Sequence, residues 1–234
     1  SLTASRQDEQ TQVDTQLYEL QAGPRLELSP QIGYTLDIRP YLLVNDLTLD
    51  GAATFSGLGG GISCSYGESP ASTWELGVRY VQRDYSNPEQ VGLTGPRTRL
   101  SVGKTFGFSE RIMGSLTASA FNENADDDWA TYWEYGVGGS VYYNFDSPLK
   151  ITTQPWIGSL VLGLYDKNYA VENPLIDPDI KRKDDTLRAS ASVTASLSAG
   201  LALVASVGYT EVDSNLLNYL NDNKFVSLSV MGRF

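Results

Sequence analysis

The chain has 234 residues, a formal net charge of −11 at pH 7, no histidine and one cysteine, Cys64. Residues 1–234 contain no linker-like stretch, so we expect a single domain. The acidic balance argues against a nucleic-acid partner, because phosphate binding needs a basic face. The lack of histidine removes the general base of Ser/His hydrolases and the commonest metal ligand. We therefore expect no enzymatic activity, no cofactor and no metal.

Apolar and polar residues alternate along most of the chain, which predicts β-strands. The clearest case is 187–197, where Leu187, Ala189 and Ala191 alternate with Arg188 and Ser190. A helix would scatter these residues around its surface. The predicted strands are, in chain order, 1–7, 15–28, 33–45, 56–66, 73–85, 96–107, 111–122, 131–145, 150–165, 186–198, 201–212 and 224–234.

The predicted connectors alternate in length. Five are short (29–33, 67–72, 107–111, 146–149 and 198–200), and five are longer (45–54, 86–96, 122–130, 166–185 and 213–223). Short turns on one rim and long loops on the other are typical of outer-membrane barrels. No stretch approaches the roughly 20 apolar residues of a spanning helix. We predict an all-β fold: a closed antiparallel transmembrane β-barrel of twelve up-and-down strands in a bacterial outer membrane, with the C-terminus periplasmic.

Aromatic residues with the parity of the apolar face form two predicted girdles at the membrane interfaces. Those near short turns are Tyr34, Tyr66, Trp74, Phe106, Tyr143, Phe145 and Phe234. Those near long loops are Tyr18, Tyr80, Trp133, Tyr135 and Tyr209. Lys104 shares the outward parity, which indicates either a snorkelling lysine or a bulge that shifts the register.

Charged residues of the opposite parity are predicted to line the lumen. The basic ones are Arg25, Arg39, Arg79, Arg83, Arg97, Arg99, Arg188 and Arg233. The acidic ones are Glu19, Glu27, Asp37, Glu75 and Glu134. This mixed lining is compatible with a narrow or gated pore for small charged solutes. It is equally compatible with Arg–carboxylate pairs that cross-brace and plug the barrel.

The chain resembles bacterial outer-membrane β-barrels, and its second half resembles the C-terminal barrel modules of proteobacterial outer-membrane export and assembly proteins. The residues that carry the likeness are Ala125-Asp126-Asp127-Asp128, Asp177-Pro178-Asp179, Gly208-Tyr209, Asp213-Ser214-Asn215, Tyr219 and Gly232-Arg233-Phe234. The resemblance implies an alternative function, an anchor or a secretion module that binds envelope proteins. The expected partners are outer-membrane lipids and lipopolysaccharide, together with an envelope protein in the alternative.

Three further segments have two interpretations each. Asp126, Asp127 and Asp128 suit either a solvated loop tip or a Ca²⁺ bridge to lipopolysaccharide. The connector 166–185 either folds into the mouth or projects outward. Gly59-Gly60-Gly61 lacks the Lys-Ser/Thr of a phosphate loop, so close packing or curvature within a strand is favoured.

Overall fold

The structure is a computed structural model that describes residues 2–7, 15–28, 34–49, 52–69, 71–148, 154–198 and 200–232. Its strands are β1 (Leu2–Gln7), β2 (Thr15–Ala22), β3 (Leu26–Leu28), β4 (Thr35–Leu49), β5 (Ala52–Ser69), β6 (Ser72–Tyr85), β7 (Gly95–Gly107), β8 (Ile112–Glu123), β9 (Tyr132–Phe145), β10 (Trp156–Tyr169), β11 (Lys183–Ser196), β12 (Leu201–Ser214) and β13 (Asn221–Gly232). The described helical segments are three short 3₁₀ turns. Within the described ranges, no helix is both long and apolar enough to cross a bilayer.

The strands form one antiparallel sheet in which each strand pairs with its neighbours along the chain. β2 and β3 both pair with β4 and together make one stave, so the sheet has twelve staves. The predicted up-and-down all-β architecture is confirmed. In the described part of the chain, no pairing joins β1 to β13, and closure of the sheet therefore stays a prediction.

The stave formed by β2 and β3 is interrupted at residues 23–25. The register on both sides of the interruption places Pro24 opposite Pro40 of β4. Neither proline has a backbone N–H, so this rung can form no ladder hydrogen bond between the two residues. The predicted continuous strand 15–28 is therefore wrong at its centre.

Several strands extend beyond their predicted ends. β4 runs to Leu49 and β5 begins at Ala52, so most of the predicted loop 45–54 is strand. β10 covers Trp156–Tyr169, whereas the prediction was 150–165, and residues 149–153 lie outside the described ranges. Backbone pairing continues through polar residues at the strand ends, where the apolar alternation that guided the prediction fades.

The two faces of the sheet differ in character. On β6 the side chains of Trp74, Leu76, Val78 and Tyr80 are exposed on one face. On the other face, Arg79 Nη2 lies 2.6 Å from Glu19 Oε2 of β2. In a flat sheet these strands would be about 14 Å apart, three spacings of roughly 4.8 Å. The sheet therefore curls, with the charged face concave and the apolar face convex.

Glycines of β5 allow this curvature. A Cβ at Gly59 would lie 2.0 Å from the carbonyl oxygen of Tyr80, and one at Gly61 would lie 2.4 Å from that of Val78. Only glycine lets the neighbouring backbone approach so closely. Close packing within a strand, the interpretation favoured for the glycine run, is confirmed at these two positions.

Candidate functional site: the concave face

The charged residues predicted to share one face do so wherever the structure describes them. Register places Arg79 opposite Arg99, Glu27 opposite Asp37 and Asp37 opposite Ser65, and the alternation connects these rungs to their neighbours. The described members are Glu19, Arg25, Glu27, Asp37, Arg39, Glu75, Arg79, Arg83, Arg97, Arg99, Glu134 and Arg188. Arg25 lies in the interruption of its stave, and Arg233 lies outside the described residues, as does the predicted interface residue Phe234.

One group of charges is centred on Asp37, near the short-connector end. Its Oδ2 accepts hydrogen bonds from Arg25 Nη2 at 2.8 Å and from Arg39 Nη2 at 2.5 Å. Arg25 also lies 3.6 Å from Glu27. Register brings Arg25 and Arg39 to the same level on neighbouring staves, where their like charges repel each other. The carboxylates of Asp37 and Glu27 offset this repulsion.

A second group is centred on Glu123 of β8, near the long-connector end. Arg83 donates to Glu123 Oε1, and Arg97 Nε donates to Glu123 Oε2 at 2.6 Å. The side chains of Arg83 and Glu123 are only 7% and 5% exposed. Charges this deeply buried are tolerated when they are paired and hydrogen-bonded.

Four further charged residues of this face were missed by the sequence analysis. Glu123 follows the predicted end of its strand by one residue. Lys167 lies 3.4 Å from Glu134, and Arg182 lies 2.7 Å from Asp184. Glu123 continues the parity of Phe121, Lys167 that of Tyr165, and Asp184 that of Arg188. Extending each predicted strand by two residues with the same alternation would have found Glu123, Lys167 and Asp184. Arg182 lies just before β11, so the alternation of that strand does not predict its position.

Above Glu123, the long-connector end encloses a cavity of about 220 Å³, here called the mouth cavity. Its aromatic lining residues are Tyr85, Trp129, Tyr132, Tyr169 and Tyr219, and its basic ones are Arg83, Arg97 and Arg182. Arg182 lies between two rings, with its Cζ 4.7 Å from the centroid of Tyr169 and 3.3 Å from that of Tyr219. Stacking and the bond to Asp184 together fix this guanidinium.

The connector between β10 and β11 follows both of its expected courses. Val171 and Asn173 line the mouth cavity, whereas Leu175 is 85% exposed. The amide of Ala170 donates to the carbonyl of Thr131 at 2.8 Å. This hydrogen bond joins the connector to the one between β8 and β9. In the described chain, no group of three or more Asp, Glu or Cys side chains is arranged to hold a metal ion.

Away from the charged groups, the concave face carries pairs of uncharged polar side chains. Serine hydroxyls meet in pairs at 2.7 Å across adjacent strands. These pairs are Ser115–Ser140, Ser159–Ser192 and Ser206–Ser227. These three pairs, which we call the serine wall, lie on strands β8 to β13, beside the arginine-rich strands β6 and β7.

The predicted interface aromatics lie on the convex face where they are described. Tyr34 and Tyr66 stack near the short-connector end, with centroids 6.1 Å apart, and Trp133 and Tyr135 stack near the other end at the same separation. Their membrane contact remains a prediction. Trp156, which also lies near the short-connector end and packs against Phe145, was missed.

Lys104 lies on the convex face as its parity predicted, and no bulge interrupts its strand pairing. Its Nζ contacts Glu68 Oε2 at 2.5 Å and lies 4.5 Å from the ring centroid of Trp74. Nearby, in the turn after β7, the negative charge of Asp146 raises the pKa of Arg111. The short-connector end of the sheet therefore carries paired charged residues.

A curled up-and-down sheet with an apolar convex face and a charged concave face defines the porin-like class of fold. A search of solved structures agrees: the NanC porin matches over 100% of both chains, with 11% sequence identity and a TM-score of 0.54. This likeness shows the fold. No protein-family model and no curated protein matches the chain. The resemblance to export and assembly modules stays a prediction.

Proposed function

We propose that the chain closes into a twelve-stave outer-membrane barrel that forms a narrow or gated pore for small charged solutes. The observation that carries this proposal is the concave face, where ion pairs reach across several strands. An apolar convex face suits lipid, and a polar concave face suits a water-filled lumen. The chain performs no covalent chemistry.

The proposed pore is narrow. Twelve staves lie between eight-stranded barrels, whose interior is filled by side chains, and the wide porins of sixteen or more strands. The contact between Arg79 and Glu19, which bridges three strand spacings, supports an interior that long side chains partly fill. Passage is therefore restricted to small solutes, and the connector at the mouth cavity is the natural gate.

The proposed setting is the bacterial outer membrane, with the short connectors and the C-terminus on the periplasmic side. The convex aromatics would then meet lipid headgroups at both interfaces. On the outer side these would be lipopolysaccharide. This orientation follows from the lengths of the connectors.

A plugged barrel that anchors or assembles an envelope complex is the second candidate. The observation that favours it is the mouth cavity, which the stacked Arg182 and the connector 170–182 partly cover. Leu175, fully outside the cavity and 85% exposed, would then belong to the surface that meets an envelope partner.

Conductance in planar bilayers tests the two candidates. The pore predicts steady unit currents from the purified protein and an altered ion selectivity for Arg97→Ala, which removes a charged side chain from the lumen. Arg111→Ala, in an exposed turn, is the matched control. A silent barrel that copurifies with a partner chain contradicts the pore and supports the anchor. A protein that is soluble and monomeric without detergent contradicts both.

A further inference from the structure

Four arginines on adjacent strands converge on one region of the concave face. Arg79 and Arg83 of β6 and Arg97 and Arg99 of β7 line a cavity of about 220 Å³, which also contacts Phe121. This cavity shares Arg83 and Arg97 with the mouth cavity, so the two adjoin. We call these four residues the arginine cluster.

Carboxylates do not neutralise the arginine cluster. Glu19 pairs with Arg79, and Glu123 serves both Arg83 and Arg97. Two carboxylates therefore face four guanidinium groups, in a chain whose net charge is −11. At the arginine cluster the positive charges therefore outnumber the carboxylates by two, although the chain as a whole is acidic.

Arg99 has no ion pair or hydrogen bond to any residue that the structure describes. Register places it directly opposite Arg79, and like charges at opposite positions on neighbouring strands are destabilising. Glu19 relieves this repulsion only on the Arg79 side. The guanidinium of Arg99 thus has its full donor capacity free for a solute.

One buried hydrogen-bond donor at the same cavity, Nε of Arg83, also lacks a partner within the described chain. The side chain of Arg83 is only 7% exposed, so water reaches this atom poorly. An unsatisfied buried polar atom is costly, and in native proteins it signals a missing partner such as water or an ion.

We infer that the arginine cluster binds a small oxyanion, a carboxylate or phosphate group, and makes the pore anion-selective. This inference rests on the proposed pore function and names its solute class. The planar guanidinium fork matches the paired oxygens of both groups, and low-dielectric walls around a cavity strengthen the attraction. An anion that passes the mouth cavity meets the cluster next.

Ion selectivity gives the first test. In a potassium chloride gradient, the reversal potential of the wild type should show chloride more permeant than potassium, and inorganic phosphate should reduce the chloride current. Arg99→Gln should lower the chloride-to-potassium permeability ratio about 10-fold, because removing one unit charge about 6 Å from the permeant ion disfavours the anion and favours the cation by about 3-fold each. Arg99→Lys should keep the ratio, and Arg111→Gln should leave it unchanged. A cation-selective wild type, or an Arg99→Gln variant with unaltered selectivity, overturns the inference and leaves the pore standing.

Binding gives the second test, which does not depend on conduction. In detergent at constant ionic strength, inorganic phosphate should raise the unfolding midpoint of the wild type relative to chloride, because a ligand stabilises the state it binds. Arg99→Gln should lose this shift, and Arg111→Gln should retain it. The same shift in both variants, or none in the wild type, overturns the oxyanion site. Phosphate binding without conductance would instead contradict the proposed pore.

Discussion

At the scale of single residues, Glu123 holds together the charged group at the long-connector end of the concave face. It is almost fully buried, and two guanidinium groups depend on it. Arg83 has in addition the rings of Phe55 and Tyr85 within 5.1 and 5.4 Å of its Cζ. Because neither ring replaces a carboxylate, loss of Glu123 would leave a buried positive charge without its counter-ion.

Replacing Glu123 by Gln should therefore destabilise the fold by about 3 kcal/mol, the cost of breaking a buried ion pair. Asp126→Asn, at an exposed loop position, is the matched control and should change stability little. Urea unfolding in detergent, followed by tryptophan fluorescence, measures both variants. Equal midpoints for E123Q and the wild type would show that the buried pair adds nothing to stability.

The sequence allowed prediction of the arginines but not of this partner. Arg83 and Arg97 are named by parity alone, whereas Glu123 falls one residue past the predicted end of its strand and two past its last apolar residue, Phe121. Ion pairing between side chains on different strands depends on register and curvature, and the alternation of apolar and polar residues predicts neither. Arg99 could be predicted as a residue of this face, but its lack of a counter-ion could not.

At the scale of elements, the strands divide into segments that the sequence predicts well and ends that it predicts poorly. β6, β7, β8 and β9 match their predicted bounds to within one residue, because alternation there runs almost from end to end. The interruption between β2 and β3 was missed. Both prolines are visible in the sequence, but only the register reveals that Pro24 and Pro40 share a rung.

The glycine row of β5 offers a test of curvature at this scale. Gly59→Ala should destabilise the protein by roughly 2 kcal/mol, because the new methyl group would collide with the backbone of β6. Gly103→Ala on β7 is the matched control, since its nearest neighbour would be 3.5 Å away, an ordinary contact. Denaturant titration of the two variants in detergent compares them directly. A more costly change at Gly103 would contradict the curvature argument.

At the scale of the whole molecule, the open question is the seam between β1 and β13. An unpaired edge within a bilayer would leave backbone N–H and C=O groups without partners at several kcal/mol each, which is why spanning sheets close. β13 has the strict alternation of Val226, Leu228 and Val230, all exposed on the convex face. It is therefore suited to a lipid-facing stave at this seam.

Amide hydrogen exchange in detergent micelles tests closure. About half of the amides of an edge strand point away from its single neighbour. In a closed barrel these amides of β13 bond to β1, so successive residues from Phe225 to Val230 should all exchange slowly. β6, which has neighbours on both sides, is the internal reference. Fast exchange at every second amide of β13 would show an open edge.

The serine wall has a property that the charged groups lack. Either hydroxyl of each Ser–Ser pair can act as the donor. Rotation about one C–O bond in each partner therefore reverses the pair's dipole while every heavy atom stays in place. Such a pair can turn either a donor or an acceptor toward a neighbouring charge, so it has no preferred sign. In the proposed pore, discrimination by charge thus belongs to the arginine cluster on the neighbouring strands β6 and β7, while the serine pairs let solutes of either sign pass.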